Sequence, residues 1–159
     1  MIPLVKPFVA PPEDLMPALK EVLYSGYIAE GEKVKYFEQM FGSYVDNPYC
    51  LALNSGTAAL HIALILAGVK SEDEVISTAM TAEPTNIAIM QAGAKIVWAD
   101  VDPSNGLISA ESIRTRISKK TKAIMIVHYA GMVAELDEIQ KVANEFNLPI
   151  IEDAAHALG

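Results

Sequence analysis

Short apolar runs alternate along this chain with longer amphipathic stretches. Runs of four or five mostly apolar residues are typical of strands that are buried on both faces of a sheet. Stretches in which apolar residues recur every three or four positions are typical of helices with one buried face. The pattern predicts strands over 49–53, 74–77, 95–99, 123–127 and 148–151, and helices over 57–67, 84–92, 109–117 and 135–146.

Strands and helices alternate in this order, and the last predicted element is a strand. Such an order favours right-handed crossovers and a mostly parallel sheet flanked by helices, so the predicted fold class is α/β. Two further helices are predicted ahead of the sheet, over 13–24 and 32–44, with a glycine-bounded loop between them. Residues 1–12 contain four prolines and are predicted to form an extended arm.

Composition narrows the possible functions. The 159 residues include 12 lysines and arginines and 20 aspartates and glutamates, so the formal net charge is −8. An acidic chain disfavours a nucleic-acid partner, because phosphate backbones bind to basic faces. The single cysteine, Cys50, excludes an intrachain disulfide and favours a reducing compartment. Since no apolar run reaches the ~18–20 residues of a membrane span, we expect a soluble, cytoplasmic protein without a membrane partner.

The segment 53–60 carries the sharpest local signal. A predicted buried strand runs into a turn of small residues, and a helix follows. The first turn of a helix has unpaired backbone N–H groups, and Gly56 leaves room for a close anion, while Ser55 and Thr57 add hydroxyl donors. These features predict a phosphate cradle. A helix cap formed by Ser55 or Thr57 explains the same residues equally well.

Asp153 follows an apolar strand, where a carboxylate is costly unless a cation or hydrogen-bond donors meet it. Two roles are open: a cap for a helix or turn, and the counter-ion of a protonated heteroaromatic nitrogen. His156 comes three residues later and is expected near the same pocket. His128 also follows a predicted strand. We therefore expect it at the same edge of the sheet, in a site shared with Asp153 and the turn at 56–57.

Other polar residues carry weaker signals. Asp100 and Asp102 precede Pro103, and we interpret them mainly as turn formers. The three histidines lack the spacing of a metal site and one cysteine cannot build a thiolate site, so no metal is expected. The chain ends just past its last predicted strand, where the site of such a sheet would begin. We therefore expect a fragment or a naturally truncated product.

Several motifs together resemble one enzyme family. They are SGYIAEG at 25–31, NSGTAAL at 54–60, DVDP at 100–103, VHYAG at 127–131 and EDAAHALG at 152–159. Through them the chain resembles the amino-terminal part of the DegT/DnrJ/EryC1/StrS family, the pyridoxal-phosphate-dependent aminotransferases that act on nucleotide-linked keto-sugars. The resemblance implies a fold-type I large domain, of which residues 1–159 would be the first part, without the small carboxyl-terminal domain.

The resemblance also implies pyridoxal 5′-phosphate as cofactor and a role for each matching residue. Asp153 would pair with the pyridinium nitrogen, His156 would lie near the ring oxygen, and Tyr27 would approach the sugar. The cofactor phosphate would be held by Gly56, Thr57 and Ala58. The implied partners are a nucleotide-sugar substrate, an amino donor such as glutamate, and a second copy of the chain in a homodimer.

Two positions depart from the family pattern. Ala82 stands where the family commonly stacks an aromatic ring on the cofactor. No lysine matches the family's Schiff-base lysine, which lies beyond the Glu-Asp motif and so beyond Gly159; the last lysine here is Lys141. We therefore expect no catalytic residue in this chain and no activity from it alone.

Two alternatives to an aminotransferase remain. Some members of the family use the amino form of the cofactor to dehydrate sugars, with histidine in place of the Schiff-base lysine, and that residue lies outside this chain. A non-catalytic binding or regulatory module that uses the turn at 56–57 for a phosphate-bearing ligand is the other alternative.

Overall fold

A computed structural model describes residues 8–158, which form two compact units divided between Ala52 and Leu53. Each unit is described by itself. Most of the arm predicted over 1–12 lies outside the described residues, and Pro12 already belongs to the first helix. None of the helices in the described part of the chain has the long apolar stretch that crossing a lipid bilayer requires.

The first unit contains two helices, α1 over Pro12–Ser25 and α2 over Glu32–Tyr44, within one residue of the predicted bounds. Pro12 suits the first position of a helix, because its ring fixes φ and the missing N–H would have no partner there. Gly42 is buried, and a Cβ at this position would lie 2.7 Å from the carbonyl oxygen of Asn47. The turn that follows α2 therefore requires a glycine at 42.

The second unit is built on four parallel strands, which confirms the predicted fold class. The strands are β1 over Glu74–Ser77, β2 over Lys95–Trp98, β3 over Thr121–Val127 and β4 over Ile150–Asp153. Their order in the sheet is β2-β1-β3-β4. β4 begins later than predicted because Pro149 has no N–H, although its carbonyl accepts a hydrogen bond from Ile124.

Helices cover both faces of this sheet. They are α3 over Gly56–Leu66, α4 over Glu83–Gln91, α5 over Ala110–Arg116 and α6 over Leu136–Phe146. Leu64 and Ile89 belong to the core under α3 and α4, while Ile113 and Ile139 belong to the core under α5 and α6. All four side chains are fully buried, and each such burial contributes about 1.5–3 kcal/mol relative to exposure. The crossovers therefore hold the sheet between two layers of helices.

The strand predicted over 49–53 is wrong, because these residues form no strand in the structure. A strand needs a neighbouring backbone with which it exchanges hydrogen bonds, and no described strand pairs with this segment. Two of its backbone N–H groups donate to side chains instead: that of Tyr49 to Asn47 Oδ1 at 2.9 Å, and that of Ala52 to Glu38 Oε1 at 2.7 Å. The Tyr49 side chain is 92% exposed.

Candidate functional site

Asp153 is the last residue of β4 and faces the layer of α3 and α4. Side chains alternate between the two faces of a strand. Ile151 lies in the core under α3 and α4, so Asp153, two residues later, lies on the same face. The hydroxyl of Thr85, in the first turn of α4, donates to Asp153 Oδ2 at 2.6 Å and confirms this orientation.

The Asp153 carboxylate has two hydrogen-bond donors and no cation beside it. Oδ2 accepts from Thr85, and Oδ1 accepts from the backbone N–H of Ala155 at 3.2 Å. Within residues 8–158, no lysine, arginine or histidine nitrogen lies within 4.0 Å of this carboxylate. Asp153 therefore stabilises a turn, which is one of the two roles that the sequence suggested. Its negative charge has no cation partner in the described residues and is available to a cationic ligand.

The turn before α3 is a capped helix N-terminus. Ser55 is the N-cap residue, and its hydroxyl accepts from the N–H of Ala58 at 3.2 Å. The backbone N–H groups of Gly56 and Thr57 have no acceptor among the described residues. A Cβ at Gly56 would meet nothing within 4 Å, so the space above the turn is open. The cap is confirmed, and two N–H groups beside it remain for an anion.

This turn and Asp153 lie on one face and at one edge of the sheet. α3 packs beside α4 and contacts β4, so it lies on the face of Asp153. The carboxyl end of α3 leads through residues 67–73 into the start of β1. The amino end of this 11-residue helix, about 16 Å away along its axis, therefore lies toward the carboxyl ends of the strands, where Asp153 is located.

A small cavity of about 40 Å³ lies beside Asp153 and is lined in part by Ala82, Tyr129 and His156. The rings of Tyr129 and His156 are in edge contact, with centroids 6.3 Å apart. The cavity is small, so a ligand of ordinary size would extend over the exposed side chains of Ala82 and His156. The structure thus brings together Asp153, His156 and the position that departs from the family pattern.

His128 follows β3 at the predicted edge and lines the cavity beside Asp153, but its ring nitrogens are hydrogen-bonded elsewhere. Nε2 lies 2.9 Å from Glu152 Oε2, and Nδ1 accepts from the N–H of Ala134 at 3.1 Å. Glu152 is adjacent to Asp153 on β4 and therefore points to the opposite face. His128 is buried, and its two nitrogens are satisfied there. The expectation that His128 lies at the edge of Asp153 and borders the same cavity is confirmed, whereas its ring nitrogens bond to groups on the other face of the sheet and not to Asp153.

Tyr27 lies in the first unit, in the loop between α1 and α2, and its side chain is 74% exposed. It lines a cavity of about 660 Å³ together with Val22, Gly31 and Lys35. This volume is within the range of small-molecule sites, roughly 300–1,000 Å³. Contact between Tyr27 and a sugar remains a prediction.

Asp102 is a turn former, as predicted. Its Oδ1 accepts from the hydroxyl of Ser104 at 2.6 Å and from the N–H of the same residue at 2.8 Å. These two hydrogen bonds hold the pKa of the Asp102 carboxyl below its usual range. The carboxylate is thus used within its own turn.

Thr85 is a site residue that was not predicted from the sequence. Its side chain is fully buried, and its hydroxyl lies 2.8 Å from that of Thr81 as well as 2.6 Å from Asp153 Oδ2. The available signal was a pair of threonines, four residues apart, at the start of a helix that follows a strand. The same pattern is common at ordinary helix starts, so by itself it does not indicate a functional site.

Comparison with known proteins gives a consistent result. The sequence model of the DegT/DnrJ/EryC1/StrS aminotransferase family matches residues 11–159. The uncharacterized protein MJ1066 of Methanocaldococcus jannaschii is 43% identical over 139 residues, which are 87% of this chain and 36% of that protein.

Two solved structures show the same fold. The sugar aminotransferase CalS13 from Micromonospora echinospora is 35% identical, with a TM-score of 0.93, over 100% of this chain and 44% of that one. NtdA from Bacillus subtilis, solved with bound cofactor PMP, is 33% identical, with a TM-score of 0.89, over 92% of this chain and 34% of that one. The chain therefore spans less than half of the length of these relatives.

Proposed function

The chain belongs to the DegT/DnrJ/EryC1/StrS aminotransferase family, and from this membership we propose that it is the cofactor-binding front part of an enzyme that transfers an amino group from glutamate to a nucleotide-linked keto-sugar. The cofactor of this family is pyridoxal phosphate. One observation supports the proposal most: the Asp153 carboxylate, without a cation partner, shares one face and one edge of the sheet with the open turn at Gly56.

The residues at this edge fit pyridoxal phosphate. Once bound, this cofactor supplies an electron sink for the carbanion formed during amino transfer. Asp153 would hold a proton on the pyridine nitrogen, because an adjacent carboxylate stabilises the positive charge. Gly56 and Thr57 would bind the phosphate through their N–H groups and the Thr57 hydroxyl, and the N–H of Ala58 would be shared with the Ser55 cap.

His156 completes the proposed cofactor site. Its ring is exposed and contacts Tyr129 at its edge, beside the cavity that Asp153 also lines. From this position a ring nitrogen would hydrogen-bond an oxygen substituent of the cofactor ring. Ala82 leaves the neighbouring wall of the site without the aromatic side chain that is common in the family.

The lysine that binds the cofactor covalently is proposed to lie in the part of the relatives' length that this chain does not span. Lys141 is unsuited to that role. Its ammonium group donates to Glu138 at 2.6 Å, and this hydrogen bond raises the pKa of Lys141. A protonated amine is not a nucleophile. We therefore propose that this chain alone is inactive.

We also propose a substrate and a working form for the whole protein. The substrate would be a nucleotide-linked keto-sugar that Tyr27 approaches, and the working form would be a homodimer in the cytoplasm. The exposed loop position of Tyr27, with a cavity of small-molecule size beside it, supports a role in ligand contact.

The proposal is tested by following nitrogen in the full-length protein that carries this chain. With ¹⁵N-glutamate, pyridoxal phosphate and a keto-sugar nucleotide, we expect ¹⁵N in the sugar product. Asp153→Asn should reduce the rate by at least roughly a hundredfold. Asp137→Asn, the same chemical change in the exposed first turn of α6, is the matched control and should retain the rate. Loss of water from the sugar without incorporation of nitrogen would favour the dehydratase alternative.

A further inference from the structure

We propose that Thr85 is a positioning residue that orients the Asp153 carboxylate toward the ring nitrogen of the cofactor. This inference rests on the proposed function, because it assigns a role within the same site. Thr85 and Asp153 are 68 residues apart in the sequence, and their side chains meet at 2.6 Å. The contact joins the first turn of α4 to the end of β4.

The direction of the hydrogen bonds follows from the chemistry of the groups. An ionised carboxylate can only accept, and a threonine hydroxyl has a single proton to donate. Thr85 therefore gives its proton to Asp153 Oδ2, and the hydroxyl of Thr81, 2.8 Å away, donates to Thr85 in turn. The chain runs from Thr81 through Thr85 to Asp153. A length of 2.6 Å is typical of a hydroxyl that donates to a carboxylate.

Thr85 is itself held in place by the polar groups at the end of β1. The side chain of Asn86 accepts from the Ser77 hydroxyl at 2.8 Å and donates to the carbonyl of Thr78 at 3.0 Å. Ser77, Thr78 and Thr85 are all buried. Because these bonds fix the first turn of α4 to the sheet, the Thr85 hydroxyl is a fixed donor.

Two donors from different segments then determine the plane of the carboxylate. Thr85 holds Oδ2 from the side of α4, and the N–H of Ala155 holds Oδ1 from the loop after β4. The remaining lone pairs of Asp153 are left for a ligand.

Binding of two cofactor probes tests this role. Pyridoxamine 5′-phosphate carries the ring nitrogen, whereas its 1-deaza analogue has a carbon in that place and keeps the phosphate. In the full-length protein, Thr85→Val should weaken binding of pyridoxamine 5′-phosphate roughly tenfold, as expected for one lost hydrogen bond to a charged group. Binding of the deaza analogue should change by less than about twofold, since no nitrogen faces the carboxylate.

Thr85→Ser retains the hydroxyl and is the conservative rescue: it should keep the preference of the wild type for pyridoxamine 5′-phosphate over the deaza analogue. Should Thr85→Val not fold, Thr85→Ala replaces it, since it also removes the hydroxyl that donates to Asp153 and is expected to show a selective loss in the same direction. Equal weakening of both probes, or no weakening of either, would overturn the positioning role. Failure of the wild type to bind pyridoxamine 5′-phosphate would instead overturn the proposed function.

Discussion

The backbone of Gly131 passes so close to His156 that a Cβ at position 131 would lie 3.1 Å from the His156 carbonyl oxygen. Gly131 also has a φ of 83°, a region that side chains other than glycine rarely adopt. The loop after β3 and the loop after β4 therefore touch through their backbones. Residues of both loops line the cavity beside Asp153.

Replacement of Gly131 should disturb both stability and the site. We expect Gly131→Ala to lower the free energy of unfolding by about 2 kcal/mol or more, because a strained φ and a close contact act together. Urea unfolding measures this loss. Gly106→Ala is the matched control: Gly106 has a φ of 74° but open space around the Cβ position, so only the strain of about 1–2 kcal/mol should appear. Equal losses in the two variants would contradict the account of the Gly131 contact.

A substitution at Gly56 should change the affinity for the cofactor without changing the stability of the fold. A Cβ at this position meets no atom within 4 Å, and alanine suits a helix start at least as well as glycine. Gly56→Ala should therefore leave the Tm unchanged but weaken binding of pyridoxamine 5′-phosphate roughly tenfold, because the methyl group occupies the proposed phosphate cradle. Isothermal titration calorimetry of the full-length protein measures the affinity. Unchanged affinity would show that no anion approaches this turn.

His128 and His156 should behave in opposite ways. His128→Ala removes the contact with the half-exposed Glu152 and leaves the buried N–H of Ala134 without an acceptor, so we expect a loss of about 2–4 kcal/mol in unfolding free energy. Binding of pyridoxamine 5′-phosphate by the folded protein should not change. His156→Ala should affect stability little and weaken binding. A weaker affinity in folded His128→Ala would contradict the purely structural role assigned to the His128 ring.

Much of the fold could be predicted from the sequence, because the crossovers follow from hydrophobic periodicity and the caps from single residues. The helix predicted from residue 109 onward, for example, begins at a cap: the hydroxyl of Ser109 accepts from the N–H of Ser112 at 3.3 Å. The run at 49–53 shows the limit of this reasoning. Its apolar character is that of a strand, but a strand forms only where another backbone pairs with it, and periodicity does not identify the partner.

The site shows a second limit, which is strand register. Val127 lies opposite Asp153 in the paired strands, so His128, one residue later, lies on the other face with Glu152. A shift of one residue would have placed the His128 ring on the face of Asp153. The sequence predicts that both residues follow strands, but it does not reveal the register. Thr85 was missed for a related reason, since its partner is distant in the sequence.

Ala82 provides a gain-of-function prediction. It is exposed and lines the cavity beside Asp153, at the place where the family commonly has an aromatic ring. Ala82→Phe should strengthen binding of pyridoxamine 5′-phosphate roughly three- to tenfold, the range expected for one added aromatic stacking contact. Fluorescence titration measures the change. Ala82→Leu, of similar size without an aromatic face, is the control and should not reproduce the gain; equal gains would attribute the effect to apolar contact alone.

The pairing of Asp153 with the cofactor nitrogen is tested most directly by ¹⁵N NMR. Pyridoxamine 5′-phosphate labelled at its ring nitrogen is bound to the full-length wild type and to Asp153→Asn, and the chemical shift reports whether the nitrogen carries a proton. We expect a protonated nitrogen in the wild type and an unprotonated one in the variant, at neutral pH. An unprotonated nitrogen in the wild type, or the same shift in both proteins, would contradict the role assigned to Asp153.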